Sequence, residues 1–247
     1  GIKALSGVEL SVEAQNKTVH MLAYGIDTEN KSLNEALEYV RDGRSRRNAS
    51  ILSKLSVAGC HISMGEVMHF AGPDGVVGRP HIARALVKKG YASSVRDAFT
   101  KYLGRGAAAY SERMRLEPSE AIRLIHEAGG ISVLAHPGLC GLGFKELGDF
   151  VGELAEFGLD GIEAYYPGHD STQVEQYLGY AERFGLVVTG GTDFHGEMRP
   201  HVQIGAGHGT LNVKDELFDA ILARQAEGTA RRASDQWAVG RARQAGQ

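Results

Sequence analysis

The sequence predicts an α/β fold, in which helices alternate with short apolar strands. The alternation is regular after residue 118, where helical segments that end at glycines are each followed by a short apolar run. Such alternation is typical of parallel strands joined by helical crossovers. Histidines and acidic residues follow several of the apolar runs, and in these folds functional groups gather at the carboxyl ends of the strands.

In chain order, the later elements are predicted as helix 119–128, strand 131–135, helix 144–157, strand 161–166, helix 171–184 and strand 186–189. Gly129, Gly158 and Gly185 follow the three helices and are typical stop signals. Two further strands are predicted in the first 28 residues, at 5–12 and 18–24.

The middle of the chain predicts a different structure. Strand patterns vanish there, and helical patterns are found at 33–40, 49–57, 82–88 and 95–103. We therefore expect one barrel-like domain, formed by residues 1–28 and 118–227, with a helical insertion at 29–117. The segment 228–247 is rich in Arg, Gln, Ala and Gly and poor in large apolar residues, so we expect it to be disordered.

Composition narrows the class of protein. The net charge of −3 gives no overall electrostatic footprint for nucleic acid, so duplex DNA is not expected as a partner. No apolar run approaches the roughly 20 residues that span a bilayer, and the first residues lack the pattern of a signal peptide. Cys60 and Cys140 cannot form a disulfide framework and lack metal-type spacing. We expect a cytoplasmic protein with no membrane partner.

Five residues with metal-ligand chemistry fall at the ends of predicted strands: Glu9, His20, His136, Asp193 and His195. Asp193 and His195 lie two residues apart in the glycine-rich segment 190–196, so their side chains would point the same way. A single residue of this kind is more often structural. Five on one rim would be costly to bury unless a cation compensates. Mixed His and carboxylate ligands suit Mn, Fe or Zn better than Ca, and several neighbouring ions would favour phosphoester hydrolysis.

Phosphate-binding chemistry is indicated by residues 78–84. Pro80 suits the first position of a helix, so Arg79 and His81 would flank a helix N-terminus, which attracts anions. Arg79 can add a bidentate contact to a phosphate. A plain helix start with solvated basic residues is the alternative interpretation. Arg199, just beyond the Asp-Phe-His motif, could approach a substrate from the rim.

Several separated motifs resemble a known family. Gly-Val-Glu-Leu-Ser at 7–11, His20, Leu-Ala-His-Pro-Gly at 134–138 and Gly-Thr-Asp-Phe-His-Gly at 191–196 resemble the later metal motifs of the polymerase and histidinol phosphatase (PHP) family. Within it, segments 79–84 and 92–106 resemble the branch of bacterial nucleoside 3′,5′-bisphosphate phosphatases, also described as 5′-to-3′ exoribonucleases. The resemblance runs from about residue 1 to 212.

The resemblance implies a distorted (β/α) barrel that holds up to three metal ions, commonly Mn. Glu9 would bridge two ions, and His20 and His136 would complete one site. Asp193 would belong to a second site and His195 to a third. The implied reaction is attack of metal-activated water on phosphorus. It would remove the 3′-phosphate of nucleoside 3′,5′-bisphosphates or trim short RNA from its 5′ end.

The resemblance also assigns Arg79 and His81 to the second phosphate of the substrate. The start of the sequence departs from the family pattern. The family's sequences open with a His-x-His motif, followed by an Asp and then by Asp-His, and this sequence contains none of these ahead of Glu9. We therefore expect the chain, as printed, to lack the first strands and to show weak or absent activity and poor stability.

Two other functions stay open at this point. One is a PHP phosphatase of another specificity, such as the histidinol-phosphate type, against which the basic helix 79–84 argues. The other is a non-catalytic PHP-like module that binds nucleic acid or a partner protein. The retained five ligand-type residues argue against that module, since a protein without metal has no need of them.

Overall fold

A computed structural model describes residues 2–15, 17–71, 77–112, 115–196, 199–209 and 211–245, with side chains described as far as residue 230. The chain divides into two compact units. The first unit consists of Gly1–Asn34 and Arg115–Gln247, and the second of Glu35–Met114.

The first unit contains a five-stranded mixed sheet. Its strands are β1 (Gly7–Ala14), β2 (Lys17–Tyr24), β3 (Ile131–Leu134), β4 (Gly161–Tyr165) and β5 (Val187–Gly190), and they lie side by side in this order. Strand β2 runs antiparallel to both β1 and β3, whereas β3, β4 and β5 are parallel to one another. The first pair is antiparallel because two residues connect β1 to β2, and a parallel pair needs a long crossover.

The second unit is helical. Its elements are α1 (Lys31–Val57, which begins in the first unit), α2 (Met64–Met68), α3 (Arg79–Lys88), α4 (Val95–Ala98) and a π-helical turn (Phe99–Leu103). Apolar side chains from α1, α2 and α3 form its core, among them Ile51, Leu55, Val67, Ile82 and Leu86. This unit therefore has a hydrophobic core of its own.

The described α-helices of the first unit are α5 (Pro118–Glu127), α6 (Phe144–Glu156), α7 (Ser171–Phe184) and α8 (Asp215–Ala245). The α/β class predicted from the sequence is confirmed. Helix α8 continues through the segment after residue 228, where the composition predicts a disordered tail. The structure differs because Ala, Arg and Gln are good helix formers even where large apolar residues are scarce.

The sheet positions the site through the alternation of side chains along β1 and β2. Leu10, Val12, Val19, Met21 and Ala23 are buried on one face of this hairpin. The intervening residues, Glu9 and His20 among them, lie on the other face. Among the described residues, no helix is both long enough and apolar enough to cross a membrane.

Candidate metal centre

Three ligand-type side chains converge on one face of the sheet. Glu9 Oε1 lies 2.6 Å from His20 Nδ1 and 3.3 Å from His136 Nε2. The two imidazole nitrogens, His20 Nδ1 and His136 Nε2, are 3.3 Å apart. One oxygen and two nitrogen atoms thus meet at a single point, which is a ligand set suited to a divalent transition metal.

Strand register explains this convergence. Glu9 pairs with Leu22 and His20 pairs with Ser11, so Glu9 and His20 are diagonal neighbours on the same face of an antiparallel pair. The prediction that both lie at strand ends is wrong: each lies inside its strand. They still meet His136, because β3 ends beside His20, whose carbonyl accepts the Ala135 N–H at 3.0 Å.

His136 follows the end of β3, as predicted, in an unusual backbone conformation. Its φ of 25° is uncommon for a residue other than glycine. Its N–H donates to Glu163 Oε2 at 2.8 Å. The Nδ1 atom of its ring is buried and has no hydrogen-bond partner among the described residues. A neutral ring that offers Nε2 as a ligand carries its proton on this buried Nδ1 atom.

A second group of ligand atoms shares Glu9 with the first. Glu9, Asp193 and His195 present ligand atoms that lie within 4.8 Å of one another. Asp193 Oδ1 is 3.0 Å from His195 Nδ1. The other oxygen, Oδ2, accepts hydrogen bonds from Tyr166 Oη, at 3.3 Å, and from the Arg199 guanidinium. The resemblance assigns Asp193 and His195 to different ions, whereas here they face the same point.

The Glu9 carboxylate is held in its charged form. Hydrogen bonds with His136 and then His20 hold the pKa of Glu9 far below its ordinary value, although burial acts in the opposite direction. For His136, burial lowers the pKa, but the hydrogen bond to Glu9 and the neighbouring Glu163 carboxylate raise it by more. Without a cation these imidazoles are the groups that compensate the carboxylates, and a bound metal ion could take over that role.

The sequence pattern gave no role in the site to Glu163. Glu163 lies on β4, is only 4% exposed and contacts the His136 backbone. Burial raises its pKa to about 7. An acidic residue inside an otherwise apolar predicted strand is the signal that could have indicated it. Tyr166 directly follows β4, and its ring packs against His136 with the centroids 5.5 Å apart.

The three residues predicted to bind substrate lie in different units. Arg199 is in the first unit, where it contacts Asp193. Arg79 and His81 are in the second unit, at the N-terminus of α3. This helix starts one residue earlier than predicted: Gly78 is its N-cap, and Pro80 occupies the second helical position.

Local contacts hold Arg79 and His81 in place. The Arg79 guanidinium lies over the Tyr110 ring, 5.3 Å from its centroid, and donates to the Leu103 carbonyl. His81 Nδ1 accepts the Gly78 N–H at 3.0 Å. In the neutral ring the proton is therefore on Nε2, which makes that atom a hydrogen-bond donor.

Comparison with known proteins places these features in a family. No protein-family model matches the chain. It is 32% identical over 195 residues to a 3′,5′-nucleoside bisphosphate phosphatase from Chromobacterium violaceum, a match that covers 79% of this chain and 68% of the relative. It is also 32% identical over 204 residues to the 5′-3′ exoribonuclease Rnm of Escherichia coli K12, covering 83% of this chain and 69% of the relative.

A solved structure gives the same result. A candidate metal-dependent phosphoesterase from Bifidobacterium adolescentis superposes with a TM-score of 0.69 at 30% sequence identity, covering 89% of this chain and 76% of the other. The family predicted from the motifs is thus confirmed by both sequence and fold. The chain belongs to the family of metal-dependent phosphoester hydrolases that includes the 3′,5′-nucleoside bisphosphate phosphatases and the 5′-3′ exoribonucleases.

Proposed function

We propose that this chain is a metal-dependent phosphoesterase that removes the 3′-phosphate of nucleoside 3′,5′-bisphosphates and trims short RNA from its 5′ end. The observation that carries the proposal is the sharing of Glu9 between two groups of ligand atoms. A carboxylate common to two neighbouring groups is the arrangement expected where two ions act on one phosphoryl group. The named relatives support this choice of substrate.

Glu9, His20 and His136 would hold one ion, and Glu9, Asp193 and His195 a second. Manganese is the ion we favour, because histidine and carboxylate ligands together suit it, with Fe or Zn as alternatives. When bound, such ions activate water and neutralise the charge of phosphoryl oxygens. The cytoplasmic location expected from the sequence stays a prediction.

Arg199 is proposed to contact the phosphate that is cleaved. Asp193 orients its guanidinium through an ion pair, and the side chain is 42% exposed, so donor groups can face a bound anion. Asp193 and Tyr166 each stabilise the charged form of this guanidinium, and the pKa of Arg199 is raised despite the opposing effect of burial.

Arg79 and His81 are proposed to bind the second phosphate of the bisphosphate. Tyr110 and the Leu103 carbonyl fix the Arg79 guanidinium, and a fixed guanidinium loses less entropy on binding an anion. The His81 ring offers its Nε2 proton because Nδ1 already accepts a hydrogen bond.

The decisive experiment measures Mn²⁺-dependent phosphate release from adenosine 3′,5′-bisphosphate by the 247-residue chain. Asp193→Ala removes a proposed ligand, and we expect release to fall about 100-fold or more. Asp149→Ala, at an exposed position of α6, is the matched control and should retain the wild-type rate. Equal rates for wild type and Asp193→Ala would contradict the assignment.

Two further substrates separate the alternatives. Faster phosphate release from histidinol phosphate than from the bisphosphate would favour a phosphatase of the other specificity. Mn²⁺ binding is measured on the same samples by isothermal titration calorimetry. Binding of RNA without any metal binding or phosphate release would favour the non-catalytic module.

A further inference from the structure

A buried carboxylate outside both ligand groups lies between the two chain segments that carry His136 and Asp193. Glu163 is on β4, between β3 and β5 in the sheet, and is almost fully buried. Its Oε2 atom accepts the His136 N–H at 2.8 Å, directly after the end of β3.

The other carboxylate oxygen faces the chain after β5. A Cβ atom at Gly191 would lie 2.9 Å from Glu163 Oε1, closer than such contacts normally come. Gly191 is two residues before Asp193, and its N–H donates to the Tyr165 carbonyl of β4 at 3.0 Å. The lack of a side chain at Gly191 therefore lets the backbone approach the Glu163 carboxylate closely.

Both segments contain a residue in an unfavourable backbone conformation. The φ angles are 25° at His136 and 51° at Asp193, in the region that favours glycine. Conformations of this kind persist only when the surroundings impose them. The Glu163 carboxylate contacts one segment by a hydrogen bond and meets the other at close range, so it is placed to impose both.

We propose that Glu163 is a positioning residue that fixes the turns at His136 and at 191–193, and through them the two ligand groups. The inference rests on the proposed function for the identity of the ligands. Glu163 belongs to neither ligand group and acts through the backbone. Partners that orient metal ligands commonly have this kind of effect, changing metal affinity without touching the ion.

The test compares Glu163→Ala and Glu163→Gln in the 247-residue chain, with Ile162→Ala as control. Ile162 is fully buried on the opposite face of β4, so its truncation reports general destabilisation. In metal-free protein, ¹H–¹⁵N NMR follows the amide resonances of His136 and Asp193. Calorimetry then gives the Mn²⁺ affinity of each folded variant.

Glu163→Ala should shift both amide resonances and weaken Mn²⁺ binding by about 10- to 100-fold. Glu163→Gln should restore most of the affinity, because its amide oxygen can still accept the His136 N–H. Gly191→Ala, which crowds the carboxylate without removing it, should shift the Asp193 amide. If Glu163→Ala fails to fold, Gly191→Ala and Glu163→Gln still test the positioning role.

The proposal is overturned if the Glu163 and Gly191 variants leave the two amides where they are in wild type. An equal loss of Mn²⁺ affinity in Ile162→Ala would also overturn it, since the effect would then be general. If the wild-type chain binds no Mn²⁺, the proposed function fails, whereas the amide resonances still decide the positioning role.

Discussion

Glu9 is the residue on which both ligand groups depend. Its carboxylate contacts the two imidazoles of the first group, and it lies within the second group with Asp193 and His195. Hydrogen bonds from these imidazoles keep it ionised, as its lowered pKa shows. Replacement of Glu9 should therefore have wider consequences than replacement of any histidine around it.

Single substitutions can test this asymmetry. His20→Ala should weaken Mn²⁺ binding at the first group alone, and His195→Ala at the second alone, whereas Glu9→Gln should weaken both. The reason is that a neutral amide is a much poorer ligand than a carboxylate. Calorimetric titration gives the number and affinity of bound ions.

His61→Ala, at an exposed histidine of the second unit, is the control and should bind as wild type does. If Glu9→Gln loses no more binding than His20→Ala, Glu9 is not shared between two ions.

The sequence could predict the residue types of the site but not all of its geometry. Glu9, His20, His136, Asp193 and His195 stood out because polar residues interrupt or follow apolar runs, and the fold brings their side chains together. Their roles as metal ligands stay predictions. Glu163 escaped notice because its contact is with the backbone N–H of His136, 27 residues away and just beyond the end of β3, which no local pattern reveals.

The elements are tied together at the end of the sheet opposite the ligand groups. Asp160, just before β4, is buried, and its Oδ2 accepts three hydrogen bonds. The donors are His126 Nε2 of α5 at 2.7 Å and, from Ser132 of β3, the backbone N–H at 2.9 Å and the hydroxyl at 3.2 Å. One carboxylate thus joins a helix and two strands. In such folds, polar contacts at the N-terminal ends of the strands serve stability and not catalysis, so we expect a structural role for Asp160.

Asp160→Ala should lower the free energy of unfolding by about 2–3 kcal/mol, because it leaves the buried Ser132 N–H without an acceptor. Urea unfolding followed by circular dichroism measures this change. Ser132→Ala removes only one of the three donors and should cost less. The Mn²⁺ affinity of folded Asp160→Ala should equal that of wild type; a large loss would show that the two ends of the sheet are coupled.

The sequence predicted the helices and strands after residue 118 better than the pairing of the first two strands. The helix and strand alternation after residue 118 is found in the structure, with β3, β4 and β5 parallel as such alternation implies. The antiparallel pairing of β1 and β2 depends on a two-residue connection, whereas the predicted strands are separated by a longer segment, residues 13–17. Helix α8 shows the reverse case, in which helix propensity outweighs a composition that predicts disorder.

Within the described part of the chain, the candidate ligand groups are both in the first unit, and the second unit has a separate core. A ligand that binds only the folded form stabilises it by mass action, by about 2.7 kcal/mol at a concentration 100 times its Kd. A bound Mn²⁺ ion should therefore stabilise the first unit, which contains the proposed metal-binding residues.

Hydrogen exchange with and without Mn²⁺ tests this expectation. Protection should rise in β1, β2 and the segments after β3 and β5, and fall again on addition of EDTA, while α3 should not change. Asp193→Ala serves as the control for non-specific effects of Mn²⁺. An equal rise in α3 would mean that the second unit also binds the ion or responds to it.

The shared carboxylate has a thermodynamic consequence. Because Glu9 belongs to both ligand groups, two ions held there would not bind as independent events. Whatever factor the first ion contributes to the affinity of the second, the second must contribute to the first, since the two pathways of loading reach the same final state. The occupancy of this centre would then follow a linked equilibrium, and its response to metal concentration would be a property of the pair.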